Sequence, residues 1–298
     1  MAFRSTLRPV DHTLGVKAVR GPQSVGMQDM PSSLVRPTYH AEHAFAGQRI
    51  LICGASGNLG GHLARELAQQ GARLLLWGRD RQKLAILADQ CERTSVEVQT
   101  RSIDLFDAQA AIAALIEDDE QDPLDCAFFV SGAGDTLEPG RIVESPSQVA
   151  RLINVNYLAP AALAVELGER MARRGKGRIA IAGTAAATHP LPLAAGYASS
   201  KCGLSLFAEA IRIALRPHGV SVTLISPGFF SAGKNHQLYG YARPGEISAN
   251  LVARRSIAAT AERRAELVTP GYFLALRWIG HILPRFIKDR LLRSLPSR

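Results

Sequence analysis

The chain has 298 residues, of which 47% are hydrophobic and 20% charged, enough for one large α/β domain or at most two small ones, and unlike a collagenous, low-complexity or wholly disordered polymer. Its formal charge is +9, but residues 49–228 hold 18 Lys/Arg against 19 Asp/Glu, while residues 229–298 hold 12 against four. The body is therefore neutral and the basic excess is C-terminal, which argues against a nucleic-acid surface spread over the fold.

Residues 1–47 mix Pro9, Pro22, Pro31 and Pro37 with Ser and Gly and keep no period; this predicts a flexible extension ahead of a folded domain over residues 48–298. Arg4, Arg8, Lys17 and Arg20 are not followed by an apolar h-region, so no secretory signal is expected, with an amphipathic transit peptide as the minor alternative. From Arg49 onward, short β-rich runs over 49–53, 73–77, 96–102, 126–130, 178–182 and 221–225 alternate with helical patterns over 59–70, 81–92, 108–118, 146–174 and 197–216. Such alternation predicts an α/β fold, a doubly wound parallel sheet of Rossmann type in a single domain. No apolar run approaches the ~20 residues that span a bilayer. Cys53, Cys91, Cys126 and Cys202 follow no CxxC or His-paired spacing, so a reducing, cytoplasmic setting and no metal site are expected.

The first strand runs into Gly54-Ala55-Ser56-Gly57-Asn58-Leu59-Gly60. A glycine-rich strand-to-helix turn lets backbone N–H groups and the helix's positive end approach a pyrophosphate, which makes Gly54, Ser56, Gly57, Asn58, Leu59 and Gly60 candidate cofactor contacts. A tight turn with no ligand is the bland alternative. The second strand ends in Gly78-Arg79-Asp80. Arg79 suits a ribose 2′-phosphate and favours NADP(H), while Asp80 keeps NAD(H) open.

Tyr197 and Lys201 stand at i and i+4 at the start of a helical run, on one face. An ammonium near a phenol, whose ordinary pKa is about 10, favours the phenolate, so Tyr197 can give or take a proton. The pair is common on helices by chance and gains weight only from its neighbours. Thr184, thirteen residues upstream at a strand end, can hold a substrate oxygen. Asn156 can order a water or backbone group in a proton relay, although a buried Asn more often satisfies backbone groups.

In order, residues 54–60, Asp104-Leu105, Ser131-Gly132-Ala133-Gly134, Asn156, Thr184, Tyr197/Lys201 and Pro227-Gly228 resemble the classical short-chain dehydrogenase/reductase family over about residues 49–228. The resemblance implies that Asp104 and Leu105 face the adenine, that Ser131 and Ala133 line the cofactor, and that Pro227 and Gly228 pass the nicotinamide. It implies that Lys201 contacts the nicotinamide ribose while lowering the pKa of Tyr197. Homodimers or homotetramers through the helices bearing Asn156 and Tyr197 are implied as well. Four positions depart from the family pattern: Asn58 for the second glycine, Ser131-Gly132 for Asn-Asn, Thr184 for Ser, and Ala232 for a carboxamide-contacting Thr, with Ser231 as the substitute.

Residues 185–196 are largely apolar, so a hydrophobic or lipid-linked small-molecule substrate is expected. His189 is expected to border the pocket rather than catalyse. Ile279, Ile282, Leu283 and Phe286 recur at helical spacing among basic residues; a helix packed over the pocket or at a subunit contact outweighs peripheral contact with an anionic membrane. The function expected is an NADP(H)-dependent oxidoreductase acting on a carbonyl or secondary alcohol, such as a 3-oxoacyl compound. The alternatives are a reductase of a polyprenyl-phosphate-linked keto sugar and a catalytically silent nucleotide-binding scaffold.

Overall fold

The computed structural model describes residues 43–94, 96–134, 140–185, 190–191, 194–230, 246–284, 286–287 and 289–290. Its strands are β1 (Arg49–Cys53), β2 (Arg73–Gly78), β3 (Val98–Ser102), β4 (Cys126–Phe129), β5 (Gly177–Ala182), β6 (Val220–Pro227) and β7 (Glu266–Thr269). Between and after them lie α1 (Asn58–Gln69), α2 (Arg81–Glu92), α3 (Ala108–Gln121), α4 (Pro146–Ile153), α5 (Ala159–Arg173), α6 (Ala195–Leu215), α7 (Ala249–Ala261) and α8 (Tyr272–Ile282). The strands form one parallel sheet in the order β3-β2-β1-β4-β5-β6-β7. The order reverses between β1 and β4, and in such sheets the crevice beyond the strand ends at that point takes the ligand.

The two faces follow from a period of two. Leu51, Cys53, Leu75 and Trp77 pack with residues of α3, α5 and α6, whereas Ile50, Ile52, Leu74 and Leu76 pack with residues of α1, α2 and α7. Covered on both sides, β1 and β4 have every residue buried, as a central parallel strand must. Each fully buried Leu or Ile stabilises the fold by roughly 1.5–3 kcal/mol before chain entropy is counted. Phe45, ahead of β1, is also fully buried, edge-on to Phe128 and under the Arg178 guanidinium. Phe45 thus packs onto the sheet from ahead of β1.

The end of the sheet away from the crevice is locked by charge. Arg49, buried in β1, donates to the carbonyls of Asp118 and Asp122. Asp118 accepts from Trp77 Nε1 at 3.0 Å and from Arg101 at 2.7 Å, and Asp119 is held by Arg170 and Arg174. The two guanidinium groups outweigh the desolvation of Asp119 and hold its carboxyl below the usual range. Removing one partner from such a buried set costs about 3–5 kcal/mol.

Several sequence expectations change. The helix expected over 146–174 is interrupted by a wider π-type turn at Asn154–Leu158. β7 and α7 had not been anticipated: β7 is a four-residue edge strand, and α7 carries Arg254-Arg255 inside an alanine-rich run. α8 stops at Ile282, because Leu283 is extended (φ −66°, ψ 127°) before Pro284, whose ring disfavours a helical predecessor. Phe286 therefore does not continue the stripe of Ile279 and Ile282. The extension up to residue 42, His189, Ser231 and Ala232 lie outside the described residues.

Candidate active site

The crevice begins at the turn between β1 and α1. Gly54 has φ +101°, and a Cβ there would stand 2.6 Å from the Ser131 backbone nitrogen. A Cβ on Gly60 would run into the Gly54 carbonyl, so α1 can start this close to β1 only with glycine at both places. No side chain caps α1 at Gly57, which leaves the positive end of a 12-residue helix at the turn. Asn58 is exposed at the first helical position. Leu59 is buried in the core and offers the crevice only backbone. Ser131, across the turn, has a buried hydroxyl with no hydrogen-bond partner. A cradle that a Cβ would fill, an uncapped helix end and an unsatisfied hydroxyl together fit a dinucleotide pyrophosphate.

At the end of β2, Arg79 is exposed, and its carbonyl accepts from Ser102 Oγ at 3.3 Å. Asp80 is otherwise engaged. Its Oδ1 caps α2 through Lys83 N at 3.1 Å, and its Oδ2 pairs with Lys83 Nζ at 2.7 Å; these bonds hold the carboxyl below its usual range. Lys83 lines a groove with Ser56, Gly57, Asn58 and Arg65. After β3, Asp104 closes a turn by accepting from Phe106 N–H at 3.1 Å, while the Leu105 side chain is committed to the core.

The acid/base candidates come from β5, α6 and the π-type turn. Tyr197, Ser200 and Lys201 sit in the first two turns of α6, and Tyr197 is partly exposed. Lys201 is 4% exposed, and its Nζ donates to the Ala182 carbonyl at the end of β5 at 2.8 Å. Burial pulls its pKa from 10.5 down to about 8. Asn156 is fully buried; it exchanges two hydrogen bonds with the Ala133 backbone and donates to Ser200 Oγ at 3.3 Å. Gly132 lies between them, since a Cβ there would be 3.5 Å from Lys201 Nζ and 3.6 Å from Asn156 Oδ1. Thr184 Oγ1 donates to the Pro227 carbonyl at 3.4 Å, joining the ends of β5 and β6. Gly228 follows, and a Cβ there would overlap the Phe273 ring of α8. The beginning of α8 therefore packs against the crevice's β6 wall.

Tyr197, Lys201, Asn156, Ala133 and Ser131 thus gather at the ends of β4 and β5 and the start of α6, with the glycine turn beside Ser131 and Thr184 beside Pro227. Burial pushes the thiols of Cys53 and Cys91 up to about 12 and about 11, as befits inert core groups, and Cys202 is exposed. Among the described residues, no cluster of three or more His, Cys, Asp or Glu could hold a metal, and no helix is long and apolar enough to cross a membrane. Sequence reasoning missed Ser200 and Lys83. The first is signalled by its place three residues after Tyr197, the second by the Asp-x-x-Lys start of α2.

A family model described as short chain dehydrogenase matches residues 48–239. An uncharacterized oxidoreductase of Myxococcus xanthus is 33% identical over 180 residues, covering 60% of this chain and 70% of that protein. An 11-beta-hydroxysteroid dehydrogenase-like protein of Arabidopsis thaliana is 27% identical over 275 residues, covering 85% and 84%. Among solved structures, a short-chain dehydrogenase of Sphingobium yanoikuyae in complex with NADPH has a TM-score of 0.69 at 22% identity, covering 84% of this chain and 97% of its own.

Proposed function

From the premise that the chain belongs to the short chain dehydrogenase family and is an oxidoreductase of carbonyl and alcohol groups, we propose that it reduces an apolar ketone with NADPH through Tyr197 and Lys201. The observation that carries this reading is the placement of Tyr197 and a buried, proton-poised Lys201 one turn apart on α6.

When bound, the nicotinamide supplies the hydride. Tyr197 gives its proton to the oxygen that becomes the alcohol, and the Lys201 ammonium, held by Ala182, stabilises the phenolate left behind. Thr184 leaves its long bond to Pro227 to hold the same oxygen, doing the work of a serine with a stiffer rotamer. Asn156, which holds Ala133 and Ser200, helps Lys201 replenish the proton that Tyr197 gives up. The cradle at Gly54, Ser56, Gly57 and Gly60 and the first turn of α1, through Asn58 and Leu59, would hold the pyrophosphate. Ser131 and Ala133 would line the cofactor's path, Asp104 and Leu105 would border the adenine, and Pro227 and Gly228 would flank the nicotinamide.

NADP(H) is favoured over NAD(H) because Arg79 is exposed at the end of β2, while the carboxylate of Asp80 is committed to α2 and Lys83. The Sphingobium yanoikuyae relative, solved with NADPH, supports the same choice. An apolar ketone is supported by the apolar residues 185–196 and by the Arabidopsis thaliana relative, whose name carries a hydroxysteroid. Oxidation of NADPH and of NADH, followed at 340 nm against a panel of soluble ketones, 3-oxoacyl compounds and a polyprenyl-phosphate-linked keto sugar, tests the reading. Turnover restricted to the lipid-linked substrate would select the keto-sugar alternative.

Two surfaces bear on partners. Leu158 and Val165 near and on α5, with Leu206 and Ile213 on α6, are exposed and suit a second copy of the chain in a homodimer or homotetramer. Leu276, Ile279 and Ile282 make an outward stripe on α8 in the basic C-terminal segment, which suits peripheral contact with anionic lipid. Light scattering of Leu206→Glu and vesicle sedimentation of Ile279→Glu separate the two.

A further inference from the structure

Ahead of α4 the chain is turned inside out. Ile142 and Val143 are 89% and 60% exposed, whereas Glu144 is 7% exposed. A carboxylate is rarely taken out of water unless something of opposite sign receives it. Here the receiver is the start of α6. Ala194, the residue capping α6, makes no side-chain hydrogen bond to it. Glu144 supplies that bond from 52 residues away, its Oε2 accepting from Gly196 N–H at 2.8 Å. Its Oε1 is buried with no hydrogen-bond partner. A Cβ on Gly196 would lie 3.3 Å from that oxygen and from Leu152 Cδ1, and 3.4 Å from Val149 Cα. The glycine therefore lets both the carboxylate and α4 close onto the first turn of α6. A negative group at this end also complements the helix dipole of a 21-residue helix.

The next residue along is Tyr197, and Lys201 follows one turn later. We propose that Glu144 is a positioning residue for the proton donor: its charge-assisted bond fixes the first turn of α6 and so fixes where the Tyr197 hydroxyl stands relative to Lys201. The inference rests on the assignment of Tyr197 as proton donor. Glu144 touches neither the glycine turn nor Arg79, so its effect falls mainly on turnover. An apolar residue at 144 would bury more comfortably, yet it is the two apolar neighbours that are exposed and the carboxylate that is buried.

The test compares Glu144→Gln and Glu144→Ala with the wild type and with Tyr197→Phe in one NADPH-dependent ketone reduction assay, alongside thermal melting and the NADPH dissociation constant from fluorescence. Gln keeps the shape and an acceptor oxygen but loses the charge. The expected order of kcat is Glu above Gln above Ala, with Gln down about threefold to tenfold and the NADPH dissociation constant within about twofold of wild type. If the Ala variant fails to fold, the Gln variant decides alone. A kcat for Glu144→Gln within about 1.5-fold of wild type, or a loss matched by an equal weakening of NADPH binding, overturns the proposal. If Tyr197→Phe keeps wild-type turnover, the assignment of the proton donor is what fails; if that variant is dead while Glu144→Gln is unimpaired, only the role of Glu144 fails.

Discussion

Asn156 holds Ala133 from both sides, its Oδ1 accepting from the Ala133 N–H at 2.7 Å and its Nδ2 donating to the Ala133 carbonyl at 2.9 Å. A side-chain amide here replaces a neighbouring strand, pinning the chain just beyond β4 where the cofactor's path is expected. Asn156→Ala leaves the partly buried N–H and C=O of Ala133 without their partner and should lower unfolding free energy by about 1–2 kcal/mol, read from urea melts. A loss below about 0.5 kcal/mol would mean that the pair is replaceable by water.

Arg79→Ala should weaken NADPH binding about tenfold to a hundredfold while barely changing NADH, because the lost contacts are charge-assisted bonds to the 2′-phosphate alone. Equal weakening of both cofactors would remove Arg79 from the selectivity argument. Isothermal titration with each cofactor gives the comparison.

Thr184→Ser should keep kcat within about threefold of wild type, whereas Thr184→Val, similar in volume but without the hydroxyl, should lower it by about 10²-fold. Steady-state ketone reduction decides between a hydroxyl that holds the reacting oxygen and one that only joins β5 to β6 through Pro227. The second role predicts a fall in melting temperature with little change in kcat.

Lys201 has a folded pKa of about 8 against an ordinary 10.5, from burial. The folded state therefore binds fewer protons than the unfolded chain between those values, and this residue's contribution to stability rises with pH across that window. Below about pH 8 the cost of burying the ammonium is fully present. The melting temperature of the wild type relative to Lys201→Met, taken without cofactor, should rise from pH 8 to pH 10.5. A flat difference would show that Lys201 ionises freely in the folded protein.

The fold was legible wherever apolar runs met their natural period. The continuous hydrophobicity of β1 and the capped, evenly spaced pattern of α2 were read to within a residue. β7 escaped because four residues at a sheet edge, three of them only half-buried, make no long apolar run. α7 escaped because its alanines and paired arginines blur the helical stripe. At the site, local motifs showed Tyr197, Lys201 and the glycine turn. Long-range partnerships did not show: that Asn156 serves Ala133 and that Glu144 reaches Gly196 are contacts decided by packing. No spacing in the sequence encodes them.

The most direct measurement is NADPH oxidation at 340 nm with an accepted ketone by the wild type and Tyr197→Phe, with NADPH binding measured on both. Removing only the phenolic hydroxyl should cost at least about 10²-fold in kcat with the NADPH dissociation constant unchanged. Turnover by Tyr197→Phe equal to the wild type would contradict the assignment of Tyr197 as proton donor, and with it the proposed chemistry of the site.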